Sequence, residues 1–222
     1  MKTEICNIQK NYGKKIVLRD VSFTAESGEC IGLLGENGSG KSTLFSVLCG
    51  LQKGGGSFLC DGTDLMKNTG LRARTVGFVP QNPPLMNELS AKDNLSLWYP
   101  AEKMKKSLED GVLAMLGINE FLKVPVSKMS GGMKKRLSIG CSVANDPSIL
   151  LLDEPSGALD LVCRESISRY LTDFKEKGGI VIIATHDVYE LEMSDKLYVL
   201  KDGTLSLHTG ERDVATLAGL LR

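Results

Sequence analysis

The sequence predicts an α/β fold in which helices cover both faces of a mostly parallel sheet. A glycine-rich loop at residues 35–43 stands between an apolar run and a helix-compatible stretch. Two further runs, 149–152 and 180–184, are wholly apolar and have the length of strands that are buried on both faces. Between these two runs, apolar residues recur at helical spacing over 167–174. Ligands of such sheets bind at the carboxyl ends of the strands.

The N-terminal part of the chain predicts antiparallel hairpins around one central strand. Short runs with strand composition are separated by turn residues, such as those at 11–15, which include Tyr12. We therefore expect an N-terminal antiparallel β subdomain joined to the parallel core. In chain order, we predict strands over 5–9, 21–25, 30–34, 57–60 and 75–79, with a helix over 43–49.

Residues 82–144 carry no strand-like run and predict an inserted helical subdomain. Ser90 is a suitable N-cap for a helix over 90–97. Apolar residues at helical spacing indicate a second helix over 104–115, and 130–143 is compatible with a third. We interpret the chain as a single domain, 1–222, with a core of 1–81 and 145–222 and a helical subdomain of 82–144.

The C-terminal part returns to alternating strands and helices. A hairpin around Asp202-Gly203 and a terminal helix complete the predicted core. We predict strands over 149–152, 180–184, 197–200 and 204–207, and helices over 167–174, 188–194 and 213–221.

Residues 35–43 have the pattern Gly-x-x-x-x-Gly-Lys-Ser of a phosphate-binding P-loop. Its glycines let backbone N–H groups turn toward phosphate oxygens, and the following helix adds its positive N-terminal end. Lys41 can reach the β- and γ-phosphates, and the Ser42 hydroxyl is suited to bind Mg²⁺. The alternative is a glycine-rich turn between a strand and a helix. The predicted phosphate-binding residues are Gly35, Glu36, Asn37, Gly38, Ser39, Gly40, Lys41, Ser42 and Thr43.

Polar residues follow three other predicted strands at the edge where ligands are expected: Gln81, Asp153, Glu154 and His186. Asp153 is placed to hold Mg²⁺, together with Ser42 and Gln81. Glu154 can act as a general base or orient an attacking water, and His186 can contact a γ-phosphate. The alternatives are a charged helix cap for Asp153 and Glu154, a helix cap for His186 and a plain turn for Gln81.

Two further features point to a nucleotide but have ordinary structural alternatives. Residues 130–132, Ser-Gly-Gly, precede a helix and can present backbone N–H groups to an anion. The alternative is a plain N-cap, with the basic residues at 134–136 on a solvated face. Tyr12 can stack on an adenine ring, and simple packing is the alternative.

Composition argues against several classes of function. Lys and Arg total 27, as do Asp and Glu, so the zero net charge argues against a broad nucleic-acid or anionic-membrane footprint. No apolar run approaches the ~20 residues that span a bilayer, and the N-terminus lacks the apolar core of a signal peptide. The six cysteines form no C-x-x-C pair, and only two histidines are present. We therefore expect a cytoplasmic protein with no nucleic-acid partner.

Together, these motifs resemble the nucleotide-binding subunit of ATP-binding-cassette (ABC) transporters, in order and over essentially the whole chain. The signature sequence just ahead of Walker B is highly specific for that family. The matches are Tyr12 to the A-loop, 35–43 to Walker A, Gln81 to the Q-loop, 129–133 to the signature, 149–154 to Walker B with its catalytic glutamate, 156–160 to the D-loop and His186 to the switch histidine.

The resemblance implies a mechanism that uses two such domains. They dimerise head to tail, and each ATP, with Mg²⁺, lies between the P-loop of one domain and the signature of the other. Ser130, Gly131 and Gly132 would then contact the partner's nucleotide, as would Asp160 of the D-loop. Glu154 would polarise water for hydrolysis. The helical subdomain would pass the motion to a transmembrane permease, which places the chain on the inner face of the membrane.

The sequence departs from the usual Leu-Ser-Gly-Gly-Gln signature, because it reads Met-Ser-Gly-Gly-Met at 129–133. Met133 lacks the polar contacts of a glutamine. Gly-Gly-Met before basic residues is similar to the subfamily paired with ABC-2-type exporters, so we favour export. A homodimer and a heterodimer both remain open.

Two other functions compete with a transport ATPase. A soluble ABC-type ATPase in assembly or remodelling would share these motifs, but the chain has no coiled-coil insertion, tandem cassette or basic arm. A small-molecule kinase would account for the P-loop but not for the ordered signature, Asp153-Glu154 and His186.

Overall fold

The computed structural model describes residues 1–155 and 159–221 and confirms the predicted α/β class. Ten strands form one mixed sheet in the order β5-β4-β1-β2-β10-β9-β3-β8-β7-β6. In chain order the strands are β1 Lys2–Tyr12, β2 Lys15–Glu26, β3 Cys30–Leu34, β4 Gly55–Cys60, β5 Thr63–Asp64, β6 Val76–Val79, β7 Ile149–Asp153, β8 Ile180–Ala184, β9 Lys196–Lys201 and β10 Thr204–His208.

Helices lie on both sides of this sheet and in the insertion. They are α1 Lys41–Leu48, α2 Thr69–Thr75, α3 Ala91–Ser96, α4 Ala101–Asp110, α5 Val112–Met115, α6 Gly131–Ser142, α7 Leu161–Glu176, α8 Val188–Glu192 and α9 Val214–Leu220, with 3₁₀ turns at Ile118–Phe121 and Val126–Lys128. Within the described ranges, no helix combines the length and apolarity needed to cross a membrane.

The sheet has an antiparallel half and a parallel half. Strands β1, β2, β4 and β5 pair antiparallel, as expected for an N-terminal β subdomain. Strands β3, β8, β7 and β6 pair parallel. Their register places Leu33 opposite Ala184, Ala184 opposite Asp153, and Leu152 opposite Val79. The four parallel strands therefore end at nearly the same level.

The apolar runs at 149–152 and 180–184 exist because the two faces of the sheet contact different cores. Leu150 and Leu152 of β7 pack into a cluster that includes the helical insertion. Ile149 and Leu151, on the opposite face, join the cluster around α1 and the N-terminal strands. Since successive side chains of a strand point to opposite faces, both faces must be apolar.

The insertion between β6 and β7 is helical, as predicted, but its second helix is broken. Ser90 caps α3 through a capping box with Asp93, whose side chain accepts from the Ser90 N–H at 3.2 Å. Gly111 separates α4 from α5 because its backbone is extended, and the Ser107 hydroxyl then accepts the Leu113 N–H. The periodicity over 104–115 continues through this break and conceals it.

The sequence prediction also missed α2. The strand expected from residue 75 begins at Val76, after a helix that is capped by the Asn68 side chain and buries none of its residues. Without a buried face, this helix leaves no apolar period in the sequence.

Candidate nucleotide site at the carboxyl edge of the sheet

The P-loop connects the end of β3 to the start of α1 by a backbone that requires glycine. Gly40, the N-cap of α1, has a φ of 112°, which residues with a Cβ atom rarely adopt. A Cβ atom at Gly35 would lie 2.6 Å from the Leu200 carbonyl oxygen. The loop folds back on itself where the Ser39 N–H donates to the Glu36 carbonyl at 3.1 Å. The first turn of α1 thus directs its unpaired N–H groups outward from the sheet edge.

Lys41 brings a buried cation to the centre of this loop. Its side chain is almost wholly buried, and its Nζ donates to the carbonyl oxygens of Gly35 at 2.6 Å and Glu36 at 3.1 Å. Burial lowers the pKa of Lys41, while the negative charges of Glu154 and Asp153 raise it. Among the residues that the structure describes, no carboxylate bonds directly to this ammonium, so it is well suited to an anionic ligand.

Asp153 ends β7 as a buried carboxylate that is only 4% exposed. Burial raises its pKa, and a hydrogen bond with the Ser42 side chain opposes that rise. A hydroxyl and a carboxylate that meet beside a P-loop form a donor set of oxygens, which is what Mg²⁺ prefers. A divalent cation there would also offset the cost of burying the negative charge. The residues present therefore fit a magnesium ion.

Glu154 is held in a strained conformation between Gln81 and His186. Its φ of 47° lies in the left-handed region, which is uncommon outside glycine and is often found at functional sites. Its N–H donates to the Ala184 carbonyl at 2.8 Å, which fixes the backbone to β8. Its Oε2 accepts from the Gln81 amide at 2.9 Å, and its Oε1 lies 3.4 Å from His186 Nε2.

His186 connects the ends of β8 and β7 to the P-loop. Its Nε2 lies 3.2 Å from Asn37 Oδ1 and 3.5 Å from Lys41 Nζ. Burial lowers the pKa of His186, the positive charge of Lys41 lowers it further, and the charge of Glu154 raises it. The net shift is downward, which favours the neutral ring, in which one nitrogen can accept a hydrogen bond.

The strand ends enclose an open cleft of about 370 Å³. Its lining combines P-loop residues with Gln81 and Glu154. The Ser39 hydroxyl, at the base of the P-loop, is buried and has no hydrogen-bond partner within the described residues. A cleft that combines outward N–H groups with a buried ammonium, beside the buried Asp153 carboxylate, can bind a phosphate chain with its metal ion. The lining residues are Asn37, Gly38, Gly40, Lys41, Ser42, Thr43, Gln81 and Glu154.

Tyr12 does not line this cleft, and it lies in a strand rather than in the predicted turn. It is the last residue of β1, and the turn that was expected over 11–15 comprises only Gly13 and Lys14. The Tyr12 hydroxyl donates to the Gln52 side chain, and Lys10 Nζ lies 4.9 Å from the ring centroid. The ring is nevertheless 46% exposed and keeps area for a further contact.

Residues 130–132 also lie apart from the cleft, at the start of α6. Ser130 is the N-cap, and its Oγ accepts from the Met133 N–H at 3.2 Å. A Cβ atom at Gly132 would lie 2.4 Å from Cys163 Sγ, so α6 packs tightly against α7 at this point. Asp160 caps α7 by accepting the Cys163 N–H at 2.8 Å. Ser156, Gly157 and Ala158 of the expected D-loop lie outside the described residues.

The alternative interpretation of 134–136 as a solvated basic face does not hold for Lys135 and Arg136. Lys135 is 6% exposed and its Nζ lies 3.2 Å from the carbonyl oxygens of both Pro80 and Gln81. The Arg136 side chain donates to the Leu116 carbonyl at 3.1 Å. The burial of Lys135 could have been predicted from helical spacing, because Lys135 lies on the same face of α6 as Ser138 and Ser142.

Comparisons of sequence agree on one family. The model of the family described as ABC transporter matches residues 18–157. The chain is 33% identical to a linearmycin resistance ATP-binding protein of Bacillus subtilis (strain 168), over 96% of this chain and 70% of the relative. It is 32% identical to a lantibiotic transport ATP-binding protein of Streptococcus pyogenes, over 92% and 89% of the two chains. A Nod factor export ATP-binding protein of Sinorhizobium fredii (strain NBRC 101917 / NGR234) is 35% identical over 90% of this chain and 60% of its own length.

Solved structures share the fold over almost the whole chain. An ATP-binding subunit of an ABC transporter has a TM-score of 0.83 and 25% identity, covering 99% of this chain and 94% of its own. A dimeric ATP-binding cassette in a post-hydrolysis state, bound to ADP and Pi, has a TM-score of 0.81 and 29% identity, covering 94% and 100%.

The contact between α6 and α7 predicts that substitutions at two adjacent glycines differ in their effect on stability. Gly132→Ala should lower the melting temperature by several degrees, because its Cβ atom would overlap Cys163 Sγ. Gly131→Ala, the matched control, should have little effect, since its Cβ atom meets nothing within 4 Å. Adding Cys163→Ala to Gly132→Ala should recover part of the lost stability. Equal melting temperatures for the two glycine variants would contradict this packing.

Proposed function

This chain belongs to the ABC transporter family, and we propose that it binds and hydrolyses MgATP as the nucleotide-binding subunit of a transporter that exports its substrate. The observation that carries the proposal is the convergence of Lys41, Glu154, His186 and Gln81 beside the P-loop. A kinase would need the P-loop, but not this carboxylate between an amide and an imidazole.

ATP binding is assigned to the P-loop and the edge beside it. Backbone N–H groups of residues 35–43 bind the phosphates, and the Lys41 ammonium exchanges its carbonyl partners for β- and γ-phosphate oxygens. Ser42, Asp153 and Gln81 are the proposed Mg²⁺ ligands, directly or through water. A Mg²⁺ ion held by these residues would neutralise phosphate charge. Tyr12 is the proposed stacking surface for adenine, supported by its exposed ring.

Hydrolysis is assigned to Glu154 with Gln81 and His186. Glu154 accepts a proton from the attacking water, the water oxygen bonds to the γ-phosphorus, and the bond to ADP breaks. Gln81 and His186 contact different oxygens of the same carboxylate, at 2.9 Å and 3.4 Å, and so they orient it. The neutral His186 ring is suited to a hydrogen bond with the γ-phosphate or the attacking water.

We propose that the site is completed by a second copy or a close relative of this chain. Ser130, Gly131, Gly132 and Asp160 lie outside the cleft of their own chain, and we assign them to the partner's nucleotide. Leu161 and Val162, directly after Asp160, are 83% and 72% exposed. An exposed apolar pair beside a candidate nucleotide contact favours a protein interface there. Serine and backbone donors remain despite Met133 in place of the usual glutamine.

The helical subdomain, 82–144, is the proposed contact with a membrane permease. A groove of about 490 Å³ lies between this subdomain and β6, and it is lined by Leu51, Trp98 and the residues around Pro80. Trp98 and Leu51 are 58% and 70% exposed. An apolar groove of this kind is suited to a helix of the partner. The groove adjoins Gln81, so permease movement can reach the metal site.

The proposal of export is supported by the names of the relatives and not by the geometry of the site. The names of three relatives refer to resistance, lantibiotic transport and Nod factor export. On this basis we propose a peripheral location on the cytoplasmic face of the membrane, through the permease. The soluble-ATPase alternative predicts that no permease binds.

Glu154→Gln tests the assignment of the base. The variant should bind ATP normally and hydrolyse it at least about 100-fold more slowly, because the amide cannot accept the proton. It should also accumulate an ATP-dependent dimer on gel filtration, since hydrolysis no longer resets the closed state. Glu176→Gln, at an exposed position of α7, should behave like the wild type. Normal turnover by Glu154→Gln would disprove the role of this residue.

Trp98→Asp tests the permease groove. When the chain is co-expressed with the membrane protein encoded beside it, the variant should lose most co-purification from detergent-solubilised membranes. A charge would be buried against an apolar helix, while the ATPase cleft is untouched. Leu207→Asp, on exposed β10, is the matched control and should retain binding. Undiminished co-purification of Trp98→Asp would remove this groove from the interface.

A further inference from the structure

We infer that Lys135 is a positioning residue for hydrolysis: its ammonium group holds the main chain at Pro80 and Gln81 and thereby places the Gln81 amide against Glu154. The inference rests on the proposed function, in which Gln81 and Glu154 serve the metal ion and the attacking water. It adds Lys135 of α6, which is not itself a proposed contact of the metal ion or of the water.

The ammonium group bonds to a segment of main chain that has lost its strand partners. The ladder between β6 and β7 ends at the pair of Val79 and Leu152. Just beyond it, Lys135 Nζ donates to the carbonyl oxygens of Pro80 and Gln81, each at 3.2 Å. Two carbonyls bound by one buried cation have fixed positions, because a charged donor strengthens each bond.

The same main-chain segment carries the amide that contacts the base. Gln81 Nε2 donates to Glu154 Oε2 at 2.9 Å. Gln81 is exposed, so little packing holds its side chain in place. The position of its amide therefore depends on where the backbone of Gln81 is held. Lys135, Gln81 and Glu154 therefore form one continuous chain of contacts from α6 to the catalytic carboxylate.

A second contact shows that α6 follows the end of β6 along its length. Ser142, at the C-terminal end of α6, donates from its hydroxyl to the Phe78 carbonyl at 2.7 Å. Ser130, at the other end of the helix, is the residue proposed to meet the partner's nucleotide. A shift of α6 on dimer closure would thus be transmitted to Gln81 through Lys135.

The surroundings of Lys135 fit a buried ammonium rather than an exposed one. The side chain is 6% exposed, and the negative charges of Asp153, Glu190 and Glu154 act on it. Burial lowers the pKa of Lys135, and these carboxylates raise it. Lys134, the adjacent residue, is only half-buried and provides a matched control.

A double-mutant cycle on the full chain tests the inference. Lys135→Met should reduce kcat for ATP by about tenfold or more, the range expected for losing hydrogen bonds from a charged group, with little change in the Kd for ATP. Lys135→Arg should restore most of the kcat, and Lys134→Met should match the wild type. In a Gln81→Ala background, Lys135→Met should lower kcat no further, because both residues act through the same amide.

Two results would overturn the inference. An equal fold loss from Lys135→Met in the wild-type and Gln81→Ala backgrounds would show that Lys135 acts independently of Gln81, and would overturn the inference. An unchanged kcat in Lys135→Met would do the same. Lys135→Gln, which keeps a donor, replaces the methionine variant in the cycle if the latter does not fold. Absence of ATP hydrolysis by the wild type would overturn the proposed function itself, whereas equal losses leave it intact.

Discussion

The register of four parallel strands is the constraint on which the site depends. Leu33, Ala184, Asp153 and the pair of Val79 with Leu152 lie at nearly one level across the sheet. Gln81, Glu154 and His186 then follow the ends of their strands by one or two residues. A slip of one residue in β7 would move Asp153 to the other face of the sheet, since the side-chain period of a strand is two.

Hydrogen bonds beyond the strands extend this alignment to the backbone of the site. The Glu154 N–H donates to Ala184, and the Thr185 N–H donates to Leu33 at 3.2 Å. These bonds hold the strained backbone of Glu154 and bring His186 to the P-loop. The apolar core compensates for the free energy of that strain, because β7 and β8 are buried on both faces.

Burial also explains why the polar groups of the site are poised for a ligand. Lys41 and Asp153 both have pKa values shifted toward the neutral form by burial. A phosphate chain with a divalent cation supplies the opposite charge to each group at once. This pairing of a buried cation with a buried carboxylate is consistent with the proposed MgATP ligand.

Much of this arrangement was predictable because it is local. The apolar runs at 149–152 and 180–184 predicted β7 and β8, and Ser130 predicted the start of α6. Long-range contacts left no such signal. The burial of Lys135 was not predicted, because its partners are main-chain carbonyls distant in sequence, a group that every residue carries. The break at Gly111 was missed because the apolar spacing continues through it.

In the function proposed above, the P-loop is half of a nucleotide site, and the start of α6 of a partner supplies the other half. The most direct test mixes two inactive variants, Lys41→Ala and Ser130→Arg, and measures ATP hydrolysis. In a mixed dimer, one site combines an intact P-loop with an intact signature, so the mixture should hydrolyse ATP well above the summed rates of the separate variants. A mixture no more active than that sum would contradict a site shared between two copies of this chain.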